Sequence, residues 1–277
     1  MDTGIYRILC FGAFSLGACI ASFLNVVIWR VPRGESIVNP PSHCPKCGAS
    51  IRWWQNIPVL SWICLRGRCA GCKAPISPRY VLVEMLGGAL FLAVFTTFGL
   101  TPATPVSWLW ISLMIAGSFI DFDHKLLPDF VTVGGMVLGV AYATLLYFLV
   151  PQAAGREFLS FSNPVVWSLC GLVFGFGLLW LVRYFGSKAF GREAMGLGDV
   201  FLMGAVGALF GPVAVLVSLV LSSLFGSIVG IGMILLSKAR LGKFVEIPYG
   251  PYICAGCLAW MFYGREIVLW YLNLFKV

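Results

Sequence analysis

Gly196-Leu-Gly198-Asp199-Val-Phe-Leu-Met-Gly-Ala-Val-Gly-Ala-Leu-Phe210-Gly211-Pro212-Val-Ala-Val-Leu-Val-Ser-Leu-Val220 opens a stretch with no charged residue between Asp199 and Lys238. Such a run belongs in hydrocarbon, where the backbone can satisfy its donors and acceptors only by coiling into helices or closing a barrel. Gly211-Pro212 interrupts it, since proline cannot continue a helix. The reading is a short apolar helix over 200–210 followed by a full span over 213–236. A lone carboxylate, Asp199, stands at its head, just after glycines 196 and 198, which let the chain turn and approach a neighbour closely.

Working outward, the pattern repeats. Further apolar runs predict spans near 5–29, 81–99, 105–120, 130–150, 165–182 and 252–273, about eight in all with seven as the alternative. The short run at 200–210 needs a protein-lined setting because it is too brief to cross alone. Of the 277 residues, 60% are hydrophobic and 11% charged, and the mean hydropathy is +0.92. That excludes a soluble domain, and runs this long exclude the alternating strands of an outer-membrane barrel. The expected fold is an all-α polytopic membrane protein, divided into a first transmembrane helix (1–29), a cytoplasmic insert (30–80) and a multi-helix membrane domain (81–277).

Basic residues set the expected orientation. The insert carries Arg30, Arg33, Lys46, Arg52, Arg66, Arg68, Lys73 and Arg79 against Glu35 alone, which places it inside and the N-terminus outside. The first run has Arg7 before it and Arg30 and Arg33 after it, with no small-x-small exit, so it reads as a retained span rather than a cleaved signal. Arg183, Lys188 and Arg192 fall in one expected cytoplasmic loop and Lys238, Arg240 and Lys243 in another. The outer loops carry only Arg156 with Glu157. This bias, with attraction to anionic lipid, accounts for the net charge of +8, and no nucleic acid partner is expected.

Within the insert, Cys44-Pro-Lys-Cys47 and Cys69-Ala-Gly-Cys72 form two knuckles. Four thiolates from two tight turns suit tetrahedral zinc, and Gly48 and Gly71 are expected to supply the turn conformation. So small a segment has little core of its own, so metal would supply much of its folding energy. A disulfide pair and unligated cysteines are the alternatives, the first disfavoured in a cytoplasmic setting. His43 and Cys64 are reserve ligands, read as a surface group and a helix-flanking residue. Cys254 and Cys257 are read as bundle packing.

Asp121 closes the run before Asp123, His124, Pro128 and Asp129, and Asp199 opens another on the same expected face of the membrane. Two carboxylates brought together hold one proton between them. The ionised one can activate water while its partner donates to a carbonyl, the chemistry of aspartic peptide hydrolysis. Helix capping by Asp129 and Asp199 is the plainer alternative. With only His43 and His124 and no His-Glu-x-x-His, neither a serine triad nor a catalytic zinc protease has support.

At these residues the chain resembles the bacterial prepilin peptidases, also called type 4 prepilin leader peptidases, within the GxGD membrane aspartyl proteases. The matching stretches are Ser22-Phe-Leu-Asn25 through Arg30-Val-Pro32 with Glu35-Ser36, and the cysteine insert with Asn56-Ile-Pro58, Arg66-Gly-Arg68 and Ser77-Pro-Arg79-Tyr80. They continue with Glu84, Asp121-Phe-Asp123, Leu127-Pro128-Asp129, Gly196-Leu-Gly198-Asp199 and Ile247-Pro248-Tyr249-Gly250-Pro251-Tyr252. The resemblance implies a catalytic pair of Asp121 and Asp199, with Asp123, Asp129, Gly196 and Gly198 in support. It implies cleavage of the basic leader of type IV prepilins or type II secretion pseudopilins at the cytoplasmic face of the bacterial inner membrane. Methylation of the new N-terminus from S-adenosylmethionine follows in members with the large insert, and Glu35 and Asn56 are the candidate donor contacts. Glu35 and Glu84 are candidate contacts for the basic leader or leaving amine, with local ion pairing as the alternative. Oligomeric state and the particular pilin stay open, as do a peptidase without methyl transfer and a non-enzymatic assembly protein using the insert for docking. Phe201, where the family commonly has lysine, and Tyr249, where it commonly has phenylalanine, depart from the pattern.

Overall fold

A computed structural model describes residues 3–149, 163–236 and 247–274; Arg156, Glu157, Lys238, Arg240 and Lys243 lie outside the described residues. The described residues form nine α-helices and no strand: α1 Thr3–Arg30, α2 Leu60–Cys64, α3 Pro78–Phe98, α4 Ala103–His124, α5 Asp129–Leu149, α6 Pro164–Phe190, α7 Leu197–Phe210, α8 Pro212–Leu236 and α9 Gly250–Leu274. Seven are long and apolar enough to cross a membrane; α7 is the short one, as its interrupted run requires. The chain is a multi-pass helical membrane protein. It divides into two compact units, 1–120 and 121–277, with the boundary inside α4.

In the first unit α1 packs along α3 through small residues. A Cβ at Gly17 would come within 2.5 Å of the Gly87 carbonyl oxygen, so the helices touch backbone to backbone. Phe91 stacks on Trp108 at 5.2 Å between centroids, and the Trp108 indole N–H donates to the Phe91 carbonyl at 3.0 Å. Residues 31–77 are built differently. Among them only Cys44 and Gly67 are buried, so little apolar surface holds this segment together.

The second unit is organised around α7. Val200, Leu202, Met203, Ala205 and Val206 have no exposed surface and residues 202–208 are buried without a break, so the middle of the helix is enclosed on every side, as a helix apolar all round must be. It packs against α5, α6, α8 and α9. At 1.5 Å per residue its 14 residues reach about 21 Å, short of the roughly 30 Å hydrocarbon thickness, which is tolerable only inside protein. By contrast, Val137, Phe148, Val173, Phe185, Val220 and Ile228 on α5, α6 and α8 are exposed and apolar, the surface lipid requires.

One expected boundary needs correction. The run at 165–182 continues as helix to Phe190, so Arg183 and Lys188 sit on the last turns of α6 rather than in a loop. Long basic side chains can extend a helix past the hydrocarbon while their heads reach polar surroundings. Arg183 also pairs with Glu193 at 2.9 Å, and Gly191 in the left-handed conformation ends the helix.

Candidate active site and metal centre

Asp121 lies in the last turn of α4 and Asp199 in the first turn of α7; they are 5% and 7% exposed. Both belong to the second unit, 78 residues apart in sequence, and Asp121 is close enough for its charge to act on Asp199. Asp199 accepts a hydrogen bond from the Gly196 N–H, the residue that caps α7. The third residue of a helix thus reaches back to its cap, as in half of a capping box. The capping role and nearness to the second carboxylate therefore coexist in Asp199.

Asp121 is held from the opposite end of the chain. Its Oδ2 accepts from the Gly250 N–H at 3.0 Å, one of the unpaired amides at the N-terminus of α9. Any side chain at 250 would disrupt this: a Cβ there would stand 2.7 Å from Asp121 Oδ2 and 3.1 Å from Leu127 Cδ1. Leu127 also closes on the other glycine, since a Cβ at Gly198 would lie 2.8 Å from Leu127 Cβ. Leu127 thus wedges between the turns that present the two aspartates, a role its apolar character did not advertise.

Tyr249, the residue before Gly250, caps α9 with its carbonyl, which accepts from Tyr252 and Ile253 N–H at 3.0 and 3.2 Å. Its hydroxyl lies 2.8 Å from Ser222 Oγ and 3.1 Å from Ser223 Oγ on α8. Ser222 donates its own proton to the Leu219 carbonyl at 2.9 Å, so Tyr249 must donate to Ser222. The departure at 249 is thereby explained as a polar tether that phenylalanine would lack. Phe201, the other departure, packs edge to face on Phe176 of α6 at 5.4 Å. Asp123 and Asp129 are exposed, the latter as the first residue of α5, where a negative charge suits the helix dipole.

In the insert the four sulfurs of Cys44, Cys47, Cys69 and Cys72 lie within 4.8 Å of one another, and Cys44 and Cys72 are 3.9 Å apart. Tetrahedral zinc with Zn–S bonds of 2.3 Å needs about 3.8 Å between sulfurs, so the cluster is compatible with structural zinc. Proton chemistry supports a cation. The Cys47 and Lys46 N–H groups bring the Cys44 thiol down to about 6. The Ala74 N–H also favours the Cys72 thiolate, but burial and the sulfurs of Cys47, Cys69 and Cys44 push it up to about 11. Four sulfurs this close can bind together as thiolates only around a positive centre.

The two knuckles are copies of one unit. Cys44 N–H bonds the Ala49 carbonyl, Gly48 N–H the Cys44 carbonyl and Ile51 N–H the Ser42 carbonyl; the same bonds recur at Cys69–Ala74, Lys73–Cys69 and Ile76–Gly67, each 25 residues on. The turn residue with positive φ follows the second cysteine, Gly48 at 69° and Lys73 at 60°. Gly71 was expected to supply that freedom and does not. It instead leaves room beside the sulfur cluster, with its Cβ direction 3.7 Å from Cys47 Sγ.

Beside the knuckles the first unit encloses a cavity of about 560 Å³, with Trp29, Glu35, Asn56, Trp62, Tyr80 and Glu84 on its wall. Glu35 and Asn56 are exposed. Glu84 Oε2 accepts from Val59 N–H at 2.7 Å. Val59 has φ 63° and ψ −53°, and Leu60 N–H bonds back to the Pro58 carbonyl at 2.6 Å, a γ-turn in its strained hand. A β-branched residue there costs about 1–3 kcal/mol, which a bond to a carboxylate, worth about 1.5–3 kcal/mol, can offset. Neither Glu35 nor Glu84 forms the local ion pair weighed for it, among the described residues.

No solved structure matches the chain. Residues 15–98 match the bacterial peptidase A24 N-terminal domain and residues 108–231 the type IV leader peptidase family. Proteins named prepilin leader peptidase/N-methyltransferase are similar over most of the sequence. That of Myxococcus xanthus is 43% identical over 84% of this chain and 65% of its own length. That of Aeromonas hydrophila is 38% identical over 95% of this chain and 93% of its own, and that of Pseudomonas aeruginosa 35% over 93% and 91%. With both of its units matched in order, the chain belongs to the type IV leader peptidase family of membrane proteins.

Proposed function

We propose that this protein cleaves the leader from type IV prepilins or related pseudopilins and then methylates the exposed N-terminus. Cleavage is assigned to Asp121 and Asp199, and the observation that carries it is that both are buried in the second unit with the charge of Asp121 acting on Asp199. In the cleavage step the ionised aspartate takes a proton from water as the water attacks the scissile carbonyl. The protonated aspartate donates to the carbonyl oxygen, and the proton moves on to the leaving amine. Gly250 N–H fixes one oxygen of Asp121, leaving the other for substrate or water. Gly196 and Gly198 shape the entry to α7, and Asp123 and Asp129 add negative charge that suits a basic leader.

The protein is placed in the bacterial inner membrane with its N-terminus on the periplasmic side and residues 30–80 in the cytoplasm, following the basic residues of the insert. The four cysteines hold zinc as a structural ion, which supplies folding energy to a segment with almost no core. S-adenosylmethionine is the methyl donor. The first unit's cavity has the size of a small-molecule site, and Glu35 and Asn56 on its rim are assigned to the donor's polar groups.

The test is incubation of the purified protein with a pilin precursor and S-adenosylmethionine, read by intact mass. The expected product has lost its leader and gained the mass of one methylene. Leader loss without that gain leaves a peptidase alone, and intact precursor would refute the assignment.

A further inference from the structure

The first unit's cavity holds a feature that leader cleavage does not use. Glu84 on α3 is 9% exposed, and among the described residues no cation pairs with it. The cations on the same wall are otherwise placed. Arg30 gives its guanidinium to the Ser36 and Pro40 carbonyls at 2.9 and 2.8 Å, while Lys46 and His43 are exposed on the first knuckle. A carboxylate so enclosed is costly unless a positive charge joins it.

The surroundings define which positive charge. A calcium or magnesium ion asks for several oxygen ligands at once, whereas Glu84 offers one free carboxylate oxygen and the wall also carries the rings of Trp62 and Tyr80, the Trp29 ring being covered by the Arg33 guanidinium at 3.7 Å. Rings with one carboxylate suit a diffuse organic cation, attracted by the ring faces and the negative oxygen together. The Val59 amide engages Glu84 Oε2, which locks the side chain in advance and leaves Oε1 for a ligand, so little ordering remains to be done on binding. A volume of about 560 Å³ takes a small cofactor rather than a folded segment.

We infer that Glu84 is the anionic contact for the sulfonium of S-adenosylmethionine in this cavity. The inference rests on the reading that the first unit binds the methyl donor, and adds the residue that distinguishes donor from product. When the amine lone pair of the trimmed substrate takes the methyl carbon, the carbon–sulfur bond breaks with its electron pair on sulfur. The sulfonium becomes a neutral thioether and the new ammonium sheds its proton to water. The product S-adenosylhomocysteine therefore loses the charge that Glu84 holds, so the carboxylate favours donor over spent product.

Equilibrium binding to the full-length, zinc-loaded protein in detergent tests this without methyl transfer. Wild type should bind S-adenosylmethionine about tenfold or more tightly than S-adenosylhomocysteine, and should equally prefer the analogue carrying an ammonium in place of the sulfonium. Glu84→Gln, checked for unchanged zinc content, should bring all three to similar affinity, and Glu84→Asp should keep the order. A wild type blind to charge, or an E84Q variant that keeps the preference, overturns the Glu84 assignment while leaving donor binding in place. A wild type that binds none of the three defeats the donor reading itself, and the Glu84 assignment with it. Should E84Q fold poorly, a wild type blind to the charge of the ligand still overturns the assignment, and Glu84→Leu replaces E84Q with the same expected loss of preference.

Discussion

Residues 31–77 and helix α7 are opposite solutions to holding a functional segment in place. The insert buries only Cys44 and Gly67 and relies on four clustered sulfurs; α7 carries no metal ligand and has five consecutive-turn residues with no exposed surface. With zinc bound as proposed, the first is tied by a few strong bonds that one reagent can remove. The second is tied by many weak contacts that only a change of shape can disturb. Metal and packing should therefore fail separately.

The largest effect is expected from removing metal. Structural zinc in small domains supplies about 10 kcal/mol or more of folding free energy, and nothing in the insert's burial replaces it. Chelation, or Cys44→Ser with Cys72→Ser, should abolish a zinc content of one per chain and open residues 31–77 to limited proteolysis, while α5 to α9 stay protected. An insert that remains resistant with no metal bound would erase the contrast.

Next comes the carboxylate pair. Asp121→Asn or Asp199→Asn should lower leader cleavage by about 10⁴-fold, the upper range for loss of a proton-transferring group. The zinc content and the thermal unfolding of either variant should stay close to wild type, because asparagine keeps the size of the side chain. A stable single variant that cuts at the normal rate would break the assignment.

A third test reaches the packing side. A Cβ at Gly171 on α6 would overlap the Gly207 carbonyl on α7, so Gly171→Ala must push the helices apart, at about 1–3 kcal/mol. Gly134→Ala, with nothing near its Cβ direction, serves as the neutral counterpart. G171A should unfold at lower temperature and lose cleavage on heating while retaining zinc; equal melting of the two variants would show that α7 is not packed as tightly as its burial states.

The legible parts of this molecule are those whose signal is local. Apolar length announced the spans, the shortness of 200–210 announced a helix that must be enclosed, and paired Cys-x-x-Cys spacing announced the four-sulfur cluster. Asp121 and Asp199 stood out because each interrupts a membrane run. What the sequence hid depends on distant partners. Gly250 meets Asp121 from 129 residues away, Glu84 pins Val59 from 25 away, and Lys73 takes a turn conformation usually left to glycine because it repeats the bonding of Gly48. The end of α6 was misplaced because hydropathy marks where apolar character stops, whereas the helix continues through Arg183 and Lys188.

The smallest effect, at Tyr249, probes whether packing alone positions the second unit's site. Its hydroxyl bonds to Ser222 and Ser223 hold the cap of α9, and the next amide holds Asp121. Between helices in a membrane such bonds contribute about 0.6 kcal/mol each, so Tyr249→Phe should slow cleavage by only a few-fold. Because the tether acts through Gly250 on Asp121, the loss should shift the pH profile of cleavage as well as its rate. Ser222→Ala, which leaves the Ser223 bond, should produce a smaller shift in the same direction and add little to Y249F, since Y249F already removes the bond they share. Independent, additive effects would mean that Tyr249 and Ser222 act separately, and that α9 is seated by its apolar contacts without help from the tether.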